Sequence, residues 1–415
     1  MPQVNRVAML SLHTSPLEQP GSGDAGGMNV YVRSVAVQMA KMGVEVDIFT
    51  RACAPDQPRA VELAPGVTVH HVVAGPRRKV AKELLPRLAG DLAEGVARSA
   101  LHGGIRYDVI HSHYWVSGVA GTSLARHWDV PLVHTMHTMA RVKNLQLQPG
   151  QAPEPQVRIQ GEQDVVHAAA RLIANTTTEA DELVAWYGAD PQSIDVVAPG
   201  VDLDVFSPAG RTEARARHGV RRGEFHVVFA GRIQRMKGPQ VLVEAAARLR
   251  ASRPDIPLRV SILGAPSGSE ILDLDASVRE LGLRGTVQLH PPVEANGLAG
   301  WFRSADVVAV PSFSESFGLV ALEAQACGTP VLAADVGGLP KAVSSGRTGV
   351  LVQGHDPSLW AAELETLFDH RAWRSDLGRN AAAQARSFGW ERTATLTTQT
   401  YRHAAEQPAV HPVGN

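Results

Sequence analysis

Cysteine is almost missing from this chain. Cys53 and Cys327 are the only two in 415 residues, which excludes a disulfide framework and suits a reducing compartment. No stretch of about 18 apolar residues occurs, so no membrane span is expected. The start, Met1 to Arg6, lacks the roughly 7–15-residue apolar core of a signal peptide. No long block carries one sign of charge and the net charge is −1, which argues against nucleic acid or an anionic membrane as partner. Short-period repeats and low-complexity segments are also lacking. What remains is ordinary for a soluble globular protein: 44% hydrophobic and 20% charged residues, enough for a large core. The length predicts two or three domains. The expectation is a cytoplasmic enzyme, with the residues after Gln407 reading as a disordered tail.

Short apolar runs alternate with longer helical stretches, which is the signature of βα units and parallel sheets. In the first half the predicted strands are 7–12, 44–50, 67–73, 109–112, 132–135, 172–174 and 194–197. The main predicted helices there are 30–42, 80–100, 155–170 and 179–187. A break follows at Pro199-Gly200-Val201-Asp202. The pattern then restarts with strands 226–230, 258–263, 287–289, 307–310, 331–334 and 349–352, and three helical stretches close the chain after Pro357. The predicted fold is α/β: two Rossmann-like, doubly wound domains, 1–200 and 201–390, facing a deep interdomain cleft. Residues 391–415 are expected to form a helix packing back on the first domain, then a tail.

The segment from Pro311 to Glu323 carries Glu315 and Glu323, eight residues apart around Gly318. A buried strand leads in and a helix follows, so both carboxylates fall at the crevice where α/β sheets bind ligands. The N–H groups of Phe317, Gly318 and Leu319 open that helix, where an anion is favoured. A ligand with hydroxyls at both ends and a charged middle, such as a nucleotide-sugar, suits this spacing. A helix cap beside a solvated Glu is the alternative. Directly after strand 226–230, Arg232 and Lys237 flank a short loop ending in Gly238. Two cations there suit a diphosphate; surface charges on a solvated loop are the bland reading.

Gly21 to Asn29 contains G-x-G-x-x-G. A dinucleotide loop should follow its strand almost directly, and this one does not. A flexible loop opening a helix, letting backbone approach phosphate or sugar, accounts for it better, with a plain turn as the alternative. His111, His113, His134 and His137 are short-spaced at strand ends, and a metal site is one reading. One histidine at the ligand and the rest in core hydrogen bonds is the other. Asp202/Asp204 and Asp273/Asp275 are Asp-x-Asp pairs without a strong preceding strand; the second reads as a helix start. Lys82, Tyr114, Thr138 and Arg158 lie near first-domain strand ends or on the adjoining helix. Sequence alone does not single them out, and Lys82 beside Lys79 reads by default as a solvated face. If the fold gathers them, they make a phosphate pocket of two cations and two hydroxyls.

Together these motifs resemble the retaining GT-B glycosyltransferases of family 4, over nearly the whole chain. The E-x7-E segment and the G-R-x5-K-G neighbourhood are its donor-domain marks. His13-Thr14-Ser15-Pro16-Leu17, Gly26-Gly27-Met28-Asn29, His111-Ser112-His113-Tyr114-Trp115 and His134-Thr135-Met136-His137-Thr138 point to its inositol-phosphate branch, at the start of mycothiol biosynthesis. The resemblance implies transfer of N-acetylglucosamine from UDP-N-acetylglucosamine to D-myo-inositol 3-phosphate with retention. It implies catalytic roles for His137, Arg232, Lys237 and Glu315. The donor would meet Gln19, Pro20, Gly27, Arg232, Lys237, Val293, Glu315 and Glu323. The inositol ring would meet His13, Asp24, Ala25, Gly26, Gly27, Met28 and Asn29, and its phosphate Lys82, Tyr114, Thr138 and Arg158. It also implies a homodimer, no cofactor required for catalysis, and a peripheral magnesium ion on oxygens of Phe302, Arg303, Ala305 and Thr329. One departure is Pro291-Pro292-Val293, where the resemblance leads one to expect an arginine near the uracil. An unphosphorylated acceptor such as an aminocyclitol, a nicotinamide-dependent oxidoreductase and a non-catalytic sugar-nucleotide binder are the competing readings.

Overall fold

The computed structural model describes residues 3–21, 23, 25–147, 152–267 and 272–406, with the side chain of Lys82 also outside the description. Asp24 and the segment 407–415 therefore lie outside the described residues.

The chain divides into two compact units. The first comprises residues 1–18, 27–198 and 390–415. Its strands are β1 (Arg6–Leu10), β2 (Glu45–Arg51), β3 (Ala60–Ala64), β4 (Val67–Val72), β5 (Val109–His113), β6 (Leu132–Thr135), β7 (Arg171–Ala174) and β8 (Ile194–Val196). They form one sheet in the order β3-β4-β2-β1-β5-β6-β7-β8. Every pairing is parallel except β3–β4 at the edge. Strands β5 and β6 are buried along their whole length, as expected where helices cover both faces of a parallel sheet. Leu10, Phe49, Val72, Ile110 and Leu132 of the strands share a core with Leu92, Val96 and Leu124 of the helices Ala89–Gly103 and Trp115–Trp128.

The second unit comprises residues 19–26 and 199–389. Its strands are β9 (Phe225–Ala230), β10 (Leu258–Leu263), β11 (Val287–His290), β12 (Val307–Val310), β13 (Val331–Ala334) and β14 (Gly349–Val352). All are parallel, in the order β11-β10-β9-β12-β13-β14. Val227, Phe229, Val260 and Ile262 pack with Leu242, Leu249, Trp360 and Leu364 of the covering helices.

Two local features depart from the sequence reading. Strand β3 was not expected. It is an edge strand with no fully buried residue, so its sequence carries little apolar signal. The helix expected over 80–100 is two elements, a 3-10 helix Lys82–Leu88 and an α-helix Ala89–Gly103. Pro86 lies inside the first; lacking an N–H, it cannot continue the α-helical ladder.

In both sheets the strand order reverses once near the middle, between β1 and β5 and between β9 and β12. Loops leaving the carboxyl ends of such a pair diverge to opposite faces and leave a crevice at that end. These two places collect most of the residues singled out from the sequence.

Candidate active site

In the second unit, the loop after β9 carries Arg232 and Lys237, and the loop after β12 carries Glu315. The switch sets them side by side: Lys237 Nζ donates to Glu315 Oε2 at 2.7 Å. Both side chains stay partly exposed, 23% and 19%, so the pair is open to a ligand. Two close backbone approaches hold this geometry. Gly238, at φ +72°, lies so near β12 that a Cβ would come 1.9 Å from the Pro311 carbonyl oxygen. The Phe313 N–H donates to the Met236 carbonyl at 2.9 Å. On the other side a Cβ at Gly337 would come 2.1 Å from the Glu315 carbonyl oxygen. That oxygen accepts from the Gly338 N–H at 2.8 Å.

Glu323 lies on the helix Leu319–Ala326 and is 8% exposed. Burial pushes its carboxyl up to about 8. A carboxyl this desolvated gains from hydroxyl donors brought by a ligand.

The segment Gln19–Gly26 belongs to this second unit. Gln19 Nε2 donates to the Val293 carbonyl at 2.9 Å. Ser267 Oγ donates to the Gly23 carbonyl at 2.7 Å. A Cβ at Gly21 would lie 3.3 Å from Pro292, and one at Gly26 3.8 Å from Arg232 Nε. Gln19 thus neighbours Val293, and Gly26 neighbours Arg232. At the Pro291-Pro292-Val293 departure it is the backbone of Val293 that turns to the loop. Ala25 is fully buried.

In the first unit, His13 follows β1, Tyr114 follows β5, and His137 and Thr138 follow β6. The His13 and Tyr114 rings lie 4.3 Å apart. Asn29, in the first turn of the helix Gly27–Lys41, is buried. Its Nδ2 donates to Thr14 Oγ1 at 2.9 Å and to the Ser15 carbonyl at 2.6 Å. That amide therefore braces the loop bearing His13. Met28 and Gly27 precede it in the same turn.

His111, His113 and His134 are buried, and His137, just past the carboxyl end of β6, is half-buried. His111 shares hydrogen bonds with Tyr401 OH at 2.7 Å and Thr135 Oγ1 at 2.9 Å. His134 Nδ1 lies 2.7 Å from Ser112 Oγ. His113 Nδ1 lies 3.0 Å from His137 Nε2. Burial pushes His134 and His137 down to about 3, and His111 and His113 well below their ordinary range. All four are neutral imidazoles at neutral pH. Tyr31 packs edge-on against His137 with ring centroids 5.2 Å apart. Tyr114 and His137 adopt φ of +69° and +60°, a conformation uncommon for residues with a Cβ and often found at functional sites.

Arg158, in the first turn of the helix Gln156–Ala168, is held from several sides. Its Nε donates to Glu162 Oε1 at 2.7 Å and its Nη2 to Thr138 Oγ1 at 2.9 Å. Its guanidinium lies 5.1 Å from the centre of the Tyr114 ring, and its Nη1 pairs with Glu154 at 3.0 Å. Three of the four residues grouped as a phosphate pocket are together; Lys82 opens the 3-10 helix, with its side chain outside the description. Sequence reasoning missed Glu154, Glu162, Tyr187, Tyr31 and Tyr401. No motif marks them; the only signal for the first two was an acidic residue four positions either side of Arg158.

Residues 210–384 match the family profile "Glycosyl transferases group 1" and residues 25–205 match "Glycosyltransferase Family 4". The chain is 60% identical over 401 residues to a D-inositol 3-phosphate glycosyltransferase of Paenarthrobacter aurescens, covering 96% of this chain and 98% of that protein. This chain belongs to the D-inositol 3-phosphate glycosyltransferase family. Another member of the family, from Pseudarthrobacter chlorophenolicus, is 58% identical with 100% and 99% of the two chains covered. Among solved structures, sucrose-phosphate synthase from Thermosynechococcus elongatus matches with a TM-score of 0.88, 31% identity, and 96% and 98% coverage. The fold is GT-B, two Rossmann-like units each with a mostly parallel sheet. Membership of this family also sets aside the nicotinamide reading of the glycine run.

The oxygens that the family resemblance assigned to magnesium are engaged within the protein. Thr329 Oγ1 donates to the Phe302 carbonyl at 2.6 Å. The Arg211 guanidinium donates to the carbonyls of Arg303, at 3.3 Å, and Ala305, at 2.5 Å. A guanidinium cation thus stands against two of these oxygens, and its charge opposes a second cation there. The arrangement does not fit magnesium, which demands near-octahedral oxygen coordination. Among the described residues no group of three or more His, Cys, Asp or Glu could hold a metal ion. Asp273 instead caps the helix Leu274–Glu280 through the Ala276 N–H at 2.9 Å. Asp202 Oδ1 accepts from the N–H groups of Asp204 and Val205. Among the described residues no helix is long and apolar enough to cross a membrane.

Proposed function

We propose that this chain transfers N-acetylglucosamine from UDP-N-acetylglucosamine to D-myo-inositol 3-phosphate, with the α configuration kept, as the opening step of mycothiol biosynthesis. The observation that carries the donor half is the Lys237–Glu315 pair, a cation and a hydroxyl-accepting carboxylate 2.7 Å apart at the switch of the second sheet. The acceptor half rests on the names of relatives 60% and 58% identical and on the cationic, hydroxyl-lined surroundings of Arg158.

In this reading Arg232 and Lys237, with the Gly27 backbone, hold the donor diphosphate. Buried Glu323 accepts from the ribose hydroxyls and Glu315 from the transferred sugar, beside which His137 sits as a neutral donor. Gln19, Pro20 and the Val293 backbone flank the uridine. His13 and the loop from Asp24 through Ala25, Gly26, Gly27 and Met28 to Asn29 meet the inositol ring. Lys82, Tyr114, Thr138 and Arg158 meet its phosphate.

The chemistry is a front-face exchange through an oxocarbenium-like state. The bond from the sugar C1 to the leaving phosphate oxygen breaks. The acceptor oxygen bonds C1 on the same face, and its proton passes to that departing oxygen. No covalent sugar–enzyme intermediate is invoked. Arg232 and Lys237 stabilise charge developing on UDP, a role worth about 2.7–4 kcal/mol for comparable donors. A homodimer and a cytoplasmic location belong to the same reading, and light scattering of the purified chain tests the first.

The deciding experiment incubates the protein with UDP-N-acetylglucosamine and each inositol phosphate isomer, then identifies product by mass and NMR. An α-linked product on the 3-phosphate isomer is expected. Equal use of free inositol or an aminocyclitol would overturn the acceptor assignment, and a β-linked product the retaining one.

A further inference from the structure

Arg158 already holds an anion. Its Nη1 pairs with Glu154 Oε2 at 3.0 Å, and Lys143 Nζ donates to the other oxygen of the same carboxylate, Oε1. Glu154 lies just before the helix Gln156–Ala168, whose positive end favours an anion. Beside it are Thr138 Oγ1, 2.9 Å from Arg158 Nη2, and the Tyr114 ring. A carboxylate bridging two cations, with a hydroxyl alongside, at a helix N-terminus, occupies a phosphate-shaped position.

The two carboxylates on Arg158 differ. Glu162 is fully buried, holds Arg158 Nε at 2.7 Å, and also accepts from the Ala140 N–H and Tyr187 OH. Its oxygens cannot leave without stranding buried donors. Glu154 is 20% exposed in its side chain, with only the two cations on its carboxylate among the described contacts. Burial raises its carboxyl, but Arg158 and Lys143 outweigh that and hold it below the ordinary range. Arg158 and Lys143 against Glu154 and Glu162 make a neutral set. A phosphate entering with Glu154 in place would face an adjacent like charge.

We propose that the Glu154 carboxylate stands in for the acceptor phosphate and that Lys143 is a further cation of that phosphate site. Glu154 swings to solvent when a phosphorylated acceptor arrives, and Arg158 and Lys143 exchange one anion for the other. An acceptor without a phosphate has nothing to displace it with, so Glu154 is a specificity determinant as well as a competitor. This rests on the acceptor-phosphate reading of Arg158 above.

The test is Glu154→Gln in the full chain, a neutral side chain of the same shape. KM for inositol 3-phosphate should fall about fivefold to tenfold, the factor expected when a competing internal state is removed. KM for UDP-N-acetylglucosamine should not move. Lys143→Ala should raise the acceptor KM. An acceptor KM unchanged or raised in Glu154→Gln overturns the proposal, as does a Lys143→Ala enzyme with a normal acceptor KM. Titration with inorganic phosphate separates the two readings: tighter phosphate binding by Glu154→Gln, lost in Glu154→Gln/Arg158→Ala, supports this site even if the wild type transfers nothing to inositol phosphate. Equal phosphate affinity in wild type and Glu154→Gln sinks it whatever the acceptor proves to be.

Discussion

Lys237 Nζ lies 2.7 Å from Glu315 Oε2, bridging the loops that leave β9 and β12. The pair presets both groups. The Lys237 ammonium is held against the β12 loop, and Glu315 keeps a polar partner. Ser312 Oγ stands 3.4 Å from the same carboxylate oxygen, so the arrangement rests on the β12 loop as much as on the lysine.

Replacing Lys237 with Ala should therefore lower kcat by about 100- to 1,000-fold, the scale of losing one preorganised electrostatic donor. The loops stay joined through the Phe313–Met236 backbone hydrogen bond, so the melting temperature should change little. Steady-state turnover with a thermal melt checks both. A variant with near-normal turnover would remove Lys237 from the donor site.

Glu323 predicts a pH dependence of opposite sign to the usual carboxylate. Its folded value is raised from 4.5 to about 8, so the native state holds a proton that the unfolded chain has released. Stability linked to this group is present below pH 4.5 and falls as pH climbs through the window to about 8, at up to about 1.4 kcal/mol per pH unit. Glu323→Gln should flatten that decline in a denaturant-midpoint series. Ribose hydroxyls donate to the ionised form, so UDP binding at pH 7 should expel a proton. Calorimetry in two buffers of different ionisation enthalpy would register it, and an enthalpy independent of buffer counts against the ribose role.

The strand–loop–helix order around Lys237 and Glu315 was legible because its parts are local. An apolar strand, a short loop and a helix start put Glu315 and Glu323, and likewise Arg232 and Lys237, at a strand's carboxyl end, and the sheet order brings the two loops together. In the first unit Tyr114, Thr138 and Arg158 do come together as the resemblance implied, but their surroundings were not legible. Tyr114 and His137 owe their aim to positive φ values that no glycine advertises. His111 meets Tyr401 across 290 positions of sequence. Glu154 and Glu162 belong to no motif and stand out only by lying four residues either side of Arg158. Strand β3 escaped notice because an exposed edge needs no apolar pattern.

Arg158→Ala separates acceptor from donor. It removes the cation beside Tyr114 and Thr138 and leaves the second unit untouched. Transfer to inositol phosphate should fall by about 100-fold or more, the scale of a lost charge-assisted contact of about 3 kcal/mol. Donor hydrolysis should change less than threefold, roughly the range of surface substitutions away from a site. The variant also leaves Glu162 buried without its guanidinium, so Arg158→Lys is the companion. A lysine keeps the charge but not the fork, and should recover stability more than acceptor affinity. Equal losses in both reactions would relocate Arg158 from the acceptor to the frame.

The four histidines at the carboxyl ends of β5 and β6 predict acid sensitivity. His111, His113 and His134 are fully buried, and burial lowers all four including His137, the last two of the set to about 3. The native state binds no proton on them near neutral pH, whereas the unfolded chain does once pH drops through about 6.5. Unfolding then takes up protons, so stability falls as pH decreases below that point. Each histidine contributes up to about 1.4 kcal/mol per pH unit. The denaturant midpoint should hold between pH 8 and 7 for this group and drop steeply from about pH 6 to 5. Proton uptake on unfolding, measured from buffer-dependent enthalpies, should exceed that expected from exposed histidines alone. In the same range kcat/KM should show no inflection from His137, because a neutral imidazole stays neutral. A midpoint flat from pH 7 to 5 would mean that the four histidines are far more hydrated than their burial implies, and a rate that tracks a histidine near its ordinary value would mean the same of His137 despite its packing against Tyr31 and His113.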